Sequence, residues 1–294
     1  MPGLTFPSPA GFATSPQWTG AGFKLGDIVV PVLEYSENFD GWSDDLTALH
    51  EEAAGDSHPI DVASRNDALL QLKARFRNSE KPILLEIGCS SGFMLKAMIH
   101  EFPSATVVGA DVVREPLFAL AKEIPTIPLL RFDLVRCPLD SDSCDAVVML
   151  NVLEHIVDDV GALAQVYRIL KPGGIVVIEV PAGPHLFDSY DKALRHFRRY
   201  RIHELADKMR NVGLVIERKS HLGFFLYPAF AAVKRRNQRN FDESTDLNSV
   251  VKIHASESSS SVLLSMAVTF EQVLGRWISY PTGIRCLAVG RKSP

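Results

Sequence analysis

The segment LLEIGCSSGF, residues 84–93, decides the fold. It begins as a short apolar run typical of a buried strand and continues into a turn of small residues. Gly88 and Gly92, with Ser90 between them, permit a tight turn and let a ligand approach the main chain closely. The segment therefore predicts a strand that ends at a ligand-binding turn.

Short apolar runs alternate with amphipathic stretches downstream of this segment and form the pattern of the whole middle of the chain. The predicted strands are residues 83–87, 106–110, 127–132, 146–150 and 175–180, and the predicted helices are residues 62–77, 93–102, 115–123 and 160–170. Strict alternation of strand and helix indicates a parallel sheet covered on both faces. Ligands of such sheets bind beyond the carboxyl ends of the strands, so the residues that follow each run are the candidates for a site.

Three known sequence patterns compete for this turn, and two of them are disfavoured. A dinucleotide fingerprint, G-x-G-x-x-G, requires a glycine where this chain has the bulky Phe93. A hydrolase nucleophile elbow, G-x-S-x-G, matches with Ser90 as the nucleophile. An elbow normally follows several earlier strands, however, and only residues 28–33 offer one here.

The third pattern is an acidic residue followed by x-G-x-G-x-G, and it is matched by Glu86, Gly88, Ser90 and Gly92, with serine for the middle glycine. In this motif the chain resembles class I S-adenosylmethionine-dependent methyltransferases. In that family the acidic residue helps to anchor the amino-acid end of the cofactor, S-adenosyl-L-methionine. The resemblance implies an α/β fold with a doubly wound, seven-stranded, mostly parallel sheet, an antiparallel last strand and helices on both faces. Residues 214–219 and 284–289 would supply the last two strands.

Residues that follow the next strands extend the resemblance. Asp111 ends the second predicted strand, with Val112 directly after it, and a carboxylate at that position accepts hydrogen bonds from ribose hydroxyls. The family places Asp133 at the adenine amino group and Leu134 on the adenine ring. Asn151 begins the stretch that closes over the sulfonium in the family. Asp111 and Asp133 would also fit a purely structural role as helix or turn caps.

Candidate catalytic residues lie on the acceptor side that the resemblance implies. Methyl transfer is an in-line displacement at carbon, so most of the acceleration can come from holding acceptor and sulfonium close together. A hydroxyl acceptor would benefit from a general base, for which histidine has a suitable pKa. The candidates are His155 after the fourth strand and Asp191, His196 and Tyr200 after the fifth. The alternative for the segment after the fifth strand is a solvent-exposed connector in which Asp191 and Arg195 form an i, i+4 ion pair.

The same residues also raise the question of whether the site binds a metal ion. Glu154 and His155 resemble part of the Glu-x-x-Glu-His arrangement of methyltransferases that use a metal, but the first acidic position is Asn151. An amide is a poorer ligand for a divalent cation than a carboxylate. We therefore expect no metal, and Glu154, His155 and His196 would be the ligands if one were bound.

Composition limits the partners and the compartment. The formal charge of −4 disfavours a nucleic-acid substrate. Four scattered cysteines without C-x-x-C pairing indicate a reducing, cytoplasmic setting rather than a disulfide framework or a cysteine-rich zinc site. No signal peptide and no apolar run of roughly 18 to 20 residues is visible, so we expect a soluble or at most peripheral protein.

The chain divides into a core and two additions. The predicted parts are residues 1–61 as an N-terminal arm or lid, residues 62–220 and 283–294 as the methyltransferase core, and residues 221–282 as a helical insertion or substrate lid. The insertion places an apolar aromatic stretch, residues 222–230, before a basic cluster at 234–239, followed by a polar loop at 258–261 and a helix at 262–278. Such a composition leaves membrane contact open, but a substrate lid or a homodimer surface is favoured.

Three functions stay open from the sequence. The leading one is S-adenosylmethionine-dependent transfer of a methyl group to O, N or C of a small-molecule acceptor, such as a natural product, a sugar or a lipid-linked glycan. The enzymatic rival is a hydrolase with Ser90 as its nucleophile. The third is a methyltransferase-like protein that binds the cofactor without methyl transfer.

Overall fold

The computed structural model describes residues 4–35, 58–77, 81–239 and 262–294. Three short strands near the start form a small antiparallel sheet: β1 (Gln17–Trp18), β2 (Phe23–Leu25) and β3 (Ile28–Val30). The main sheet contains β4 (Val32–Glu34), β5 (Ile83–Ile87), β6 (Thr106–Asp111), β7 (Leu129–Arg131), β8 (Cys144–Leu150), β9 (Leu170–Pro181), β10 (Leu214–Leu222) and β11 (Arg285–Lys292).

The main sheet has the strand order β10-β11-β9-β8-β5-β6-β7-β4. Strands β4 to β9 pair in parallel, and β11 is antiparallel to both of its neighbours, β9 and β10. This arrangement confirms the predicted α/β fold with an antiparallel last strand. The sheet has eight strands instead of the predicted seven, because Val32–Glu34 adds a parallel edge strand to β7.

Helices cover both faces of the sheet. They are α1 (Pro59–Phe76), α2 (Phe93–Glu101), α3 (Arg114–Glu123), α4 (Asp159–Ile169), α5 (Ser189–Ala193), α6 (Ile202–Asn211), α7 (Tyr227–Arg239) and α8 (Val262–Leu274). The predicted central helices agree with α2, α3 and α4 to within a residue at each end. None of the helices in the described part of the chain is long and apolar enough to span a bilayer.

The alternating side chains of β5 show how the sheet separates two apolar layers. Ile83, Leu85 and Ile87 belong to one buried cluster, whereas Leu84 belongs to the other. Successive side chains of a strand point to opposite faces, so Glu86 lies on the same face as Leu84. The carboxylate is therefore directed toward a buried apolar layer, and only 4% of the residue is exposed.

The described part of the predicted N-terminal arm contributes to the core. Leu4, Phe6 and Phe23 are buried in the same cluster as β5, and Phe6 meets Phe23 edge to face at 5.0 Å. Together with β4, these contacts make residues 4–35 part of the packed domain rather than a coiled arm. Residues 36–57, also assigned to the arm, lie outside the described residues.

The insertion docks on the core through both of its described helices. Val268 of α8 packs with Ile60 and Ala63 of α1, and the Gln272 Nε2 donates to the Ala63 carbonyl at 2.8 Å. Helix α7 is attached by Lys234, which is only 3% exposed. The predicted helix 262–278 ends at Leu274, and the predicted polar loop 258–261 lies outside the described residues.

Candidate active site

A cavity of about 320 Å³ lies at the carboxyl edge of the main sheet. The ends of β5, β6 and β7 form one part of its wall, and the residues after β8 and β9, with the start of β11, form the other. The predicted cofactor residues that line it are Gly88, Ser90, Asp111, Val112, Asp133, Leu134 and Asn151, and the predicted catalytic residues that line it are His155 and His196. The strand ends thus bring together residues that are far apart in the sequence, as the parallel sheet requires.

The turn after β5 requires glycine at position 88. Gly88 has a φ of +76°, and a Cβ placed there would lie 2.3 Å from the Val152 Cγ2. Both the left-handed backbone and the lack of space exclude a side chain. No side chain therefore covers the main chain where the turn faces the cavity.

Asp111 holds two main-chain turns in place. Its Oδ2 accepts a hydrogen bond from the Ser90 N–H at 2.8 Å, which ties the turn after β5 to the end of β6. Its Oδ1 accepts from the N–H groups of Val112 and Val113 at 2.7 and 3.0 Å. Asp111 is thus a structural anchor of the turn as well as a residue of the cavity wall.

Two predicted cofactor residues do not line the cavity. Gly92, with a φ of +74°, precedes α2, and a Cβ there would lie 2.5 Å from the Leu120 Cδ1, so this glycine permits close packing of α2 against α3. Glu86 lies behind the cavity wall. Burial, and then the charge of Asp111, raise the pKa of Glu86 well above its usual value. Its Oε2 has no hydrogen-bond partner among the described residues.

Asp133 combines the two roles that the sequence left open. Its Oδ1 accepts from the Val135 N–H at 3.0 Å and caps the short helical turn Leu134–Arg136. The residue also lines the cavity next to Leu134. The capping interaction therefore does not remove Asp133 from the cavity wall.

Three side chains with metal-ligand or proton-transfer chemistry meet on the other side of the cavity. Glu154 and His155 lie in a short turn after β8, and His196 comes from the segment after α5. One ligand atom from each lies within 4.8 Å of the others, and the rings of His155 and His196 meet edge to face at 4.6 Å between centroids. Burial is the main cause that raises the pKa of Glu154 to about 8.

Asp191 lies behind His196 and does not line the cavity. Its Oδ1 is 3.0 Å from the His196 Nδ1 and accepts from the Arg199 Nε at 2.8 Å. Its Oδ2 accepts from the Lys234 Nζ at 3.0 Å. Although burial alone would raise it, these partners hold the pKa of Asp191 well below its usual range. Asp191 is thus a charged group that positions the His196 ring.

Tyr200, which was predicted among the catalytic residues, does not line the cavity. Its side chain is fully buried, and its hydroxyl donates to the Asp159 Oδ2 at 2.9 Å. Asp159 also pairs with Lys208 at 2.7 Å. Because the phenol fills the core and its hydroxyl is bonded at the N-terminus of α4, Tyr200 has a structural role.

Several residues of the cavity wall were not among the predicted site residues, and three of them are Arg199, Arg285 and Phe230. Arg199 donates to Asp191, and Arg285 at the start of β11 pairs with Glu179 at 3.0 Å. Phe230 comes from α7, in the insertion. The Arg-Arg pair in the polar segment after α5 was the available signal for Arg199. No local signal identified Arg285 or Phe230, because their elements reach the cavity only through tertiary packing.

Comparisons with known proteins agree with this geometry. Residues 85–178 match the sequence model of a methyltransferase domain. The chain is 26% identical over 156 residues to a Mycolicibacterium smegmatis protein assigned as an S-adenosylmethionine-dependent methyltransferase, a match that covers 52% of this chain and 59% of that one. It is 26% identical over 117 residues to trans-aconitate 2-methyltransferase of Azoarcus sp., which covers 40% of this chain and 46% of that one. The chain thus spans about half the length of these relatives.

A solved structure supports the same fold. The phosphoethanolamine N-methyltransferase 2 of Haemonchus contortus, in complex with S-adenosyl-L-methionine, matches with a TM-score of 0.51 and 18% identity. The match covers 78% of this chain and 53% of that chain. At this identity the likeness describes the arrangement of the backbone. The family-model match at residues 85–178, by contrast, includes the turn after β5, the end of β6 and the segment up to β9.

Proposed function

We propose that this chain is a class I S-adenosylmethionine-dependent methyltransferase that transfers the methyl group of S-adenosyl-L-methionine to an O, N or C atom of a small-molecule acceptor. The observation that carries the proposal is the shared cavity, in which the predicted cofactor wall continues into a cluster of Glu154, His155 and His196. Cofactor and acceptor would therefore lie in one space, as an in-line displacement requires.

The cofactor would bind along the ends of β5, β6 and β7. The turn at Gly88 to Ser90 would receive the methionine part, Asp111 and Val112 the ribose, and Asp133 and Leu134 the adenine. Asp111 keeps its side chain fixed through main-chain donors, so it would meet a ribose hydroxyl without rearrangement. Preorganisation of this kind lowers the entropic cost of binding.

The acceptor would bind on the side of β8, β9 and α7. Histidine, arginine and glutamate side chains give this part of the wall polar groups, whereas Phe230 gives it an apolar one. We propose that the insertion forms a wall of the acceptor pocket, since Phe230 lies on the helix that Lys234 fixes to the core. A small acceptor with a polar reacting group and an apolar portion fits this lining.

Calorimetry tests the cofactor assignment. We expect wild-type protein to bind S-adenosyl-L-methionine and not NAD. Asp111→Asn should weaken cofactor binding by about 10- to 100-fold, because it removes a charged acceptor worth about 1.5 to 3 kcal/mol. Asp207→Asn is the matched control, since Asp207 is exposed on α6 and pairs with Arg210 of the same helix. Equal binding of NAD, or equal affinities of the two variants, would refute the assignment.

Release of S-adenosylhomocysteine tests the transfer itself. Purified protein would be incubated with the cofactor and sets of hydroxyl-, amine- and carboxylate-bearing acceptors, with formation of S-adenosylhomocysteine measured by mass spectrometry. Acceptor-dependent release would support methyl transfer. Tight cofactor binding without release in any set would favour the cofactor-binding protein without transfer.

A further inference from the structure

The cluster of Glu154, His155 and His196 has the composition of a metal site. Each residue offers one donor atom, and the three donor atoms lie within 4.8 Å of one another. Two imidazoles and a carboxylate are the donors that Zn²⁺ and neighbouring divalent transition metals prefer, and three protein ligands leave a position for a further ligand. The expectation of a metal-free site rested on Asn151, but these three donors suffice without it.

Glu154 supplies an independent observation. The residue is fully buried, yet neither carboxylate oxygen has a hydrogen-bond partner among the described residues. Buried polar groups are nearly always satisfied, and each exception requires an explanation. A cation bound by the carboxylate would provide the missing partner, because buried charges in proteins are paired or coordinate metals.

His196 has the support that a metal-binding histidine usually has. Its Nδ1 lies 3.0 Å from the Asp191 Oδ1, so the ring is oriented and its Nε2 is left to coordinate. Asp191 is itself fixed by Arg199 and Lys234. A carboxylate that accepts from the non-ligating nitrogen is the common outer sphere of metal-bound histidines.

We propose that Glu154, His155 and His196 bind a divalent transition-metal ion, with Zn²⁺ as the reference ion, at the acceptor end of the cavity. Its role rests on the proposed function: the ion would hold an acceptor hydroxyl in its open position and favour loss of the hydroxyl proton to solvent water. The oxygen lone pair would then form the O–C bond to the methyl group as the C–S bond breaks. The electron pair of that bond returns to sulfur, giving neutral S-adenosylhomocysteine.

Metal titration tests the site without any activity measurement. Protein freed of metal with a chelator and dialysed would be titrated with Zn²⁺ by calorimetry and with Co²⁺ by visible absorption. We expect one ion per chain and a Co²⁺ ligand-field band. Glu154→Gln and His196→Ala should each weaken binding at least as much as the roughly 10- to 100-fold loss caused by outer-sphere substitutions. His185→Ala is the control, because this histidine contacts Tyr227 and lies outside the cluster.

The outcomes separate this proposal from the proposed function. Metal uptake that is unchanged in both cluster variants, or no uptake of Zn²⁺, Mn²⁺ or Co²⁺ by wild-type protein that binds S-adenosyl-L-methionine, would overturn the metal site alone. Metal uptake without cofactor binding would instead refute the methyltransferase assignment. Glu154→Gln preserves the shape of the side chain, so thermal unfolding and cofactor affinity measured on the same samples identify any loss of folding.

Discussion

Substitution of Gly88 by alanine tests whether the turn after β5 requires a residue without a Cβ at this position. A left-handed backbone costs a non-glycine residue about 1 to 2 kcal/mol. The new Cβ would lie 2.3 Å from the Val152 Cγ2, and such overpacking adds about 1 to 3 kcal/mol. We therefore expect Gly88→Ala to lower the free energy of unfolding in urea by about 2 to 5 kcal/mol. Because the turn and Val152 both line the cavity, calorimetry should also show loss of S-adenosyl-L-methionine binding.

Two controls separate the causes of this loss. Gly26 has a φ of +59° and nothing within 4 Å of a built Cβ, so Gly26→Ala should show the backbone cost alone. In the Gly88→Ala/Val152→Ala double variant the nearest Val152 atom would be Cβ at 3.6 Å, an ordinary contact. The second substitution should therefore restore much of the lost stability and cofactor affinity. Equal costs at positions 26 and 88, or no rescue by Val152→Ala, would refute the reasoning.

Two further predictions concern buried polar groups outside the cavity. Tyr200→Phe should lower the free energy of unfolding by about 1 to 3 kcal/mol, because it removes the hydrogen bond to Asp159. Cofactor affinity should stay unchanged. Lost turnover at unchanged stability would instead assign Tyr200 to the catalytic group. Lys234→Met should destabilise by about 3 to 5 kcal/mol in urea unfolding, because it leaves Asp188 and Asp191 buried without this cation. Exposed Lys24→Met is its control, and similar costs for the two lysines would contradict the buried network.

The sheet was predictable because its strands are short buried runs that alternate with amphipathic helices. The strand at 83–87 was predicted with its observed bounds. The eighth strand was missed because residues 28–33 read as one apolar run, whereas Pro31 separates β3 from β4. Proline lacks the N–H that a continuous ladder requires, so the two halves pair with different sheets. The start of β9 at Leu170 was also missed, since Lys171-Pro172-Gly173-Gly174 read as a turn alone.

The cavity could be predicted only in part, because local motifs place the main chain but not the partners of a side chain. Gly88, Asp111 and Asp133 follow strands, and the parallel sheet gathers strand ends at one edge. Tyr200 looked catalytic in a polar segment, but its partner Asp159 lies 41 residues away in the sequence. Phe230 likewise reaches the wall because the insertion docks through a buried lysine. Such long-range pairings follow from packing, which no local pattern contains.

The two ends of the cavity have different origins in the chain. The methyltransferase match at 85–178 contains the predicted cofactor wall together with Glu154 and His155. His196, Arg199, Phe230 and Arg285 all lie beyond it. Lys234 of the insertion contacts the Asp191 carboxylate that orients His196, so this buried ion pair links the position of α7 to the geometry of the proposed acceptor end. We therefore expect cofactor use to follow from the shared domain, and acceptor choice to follow from residues after β9 and from the insertion.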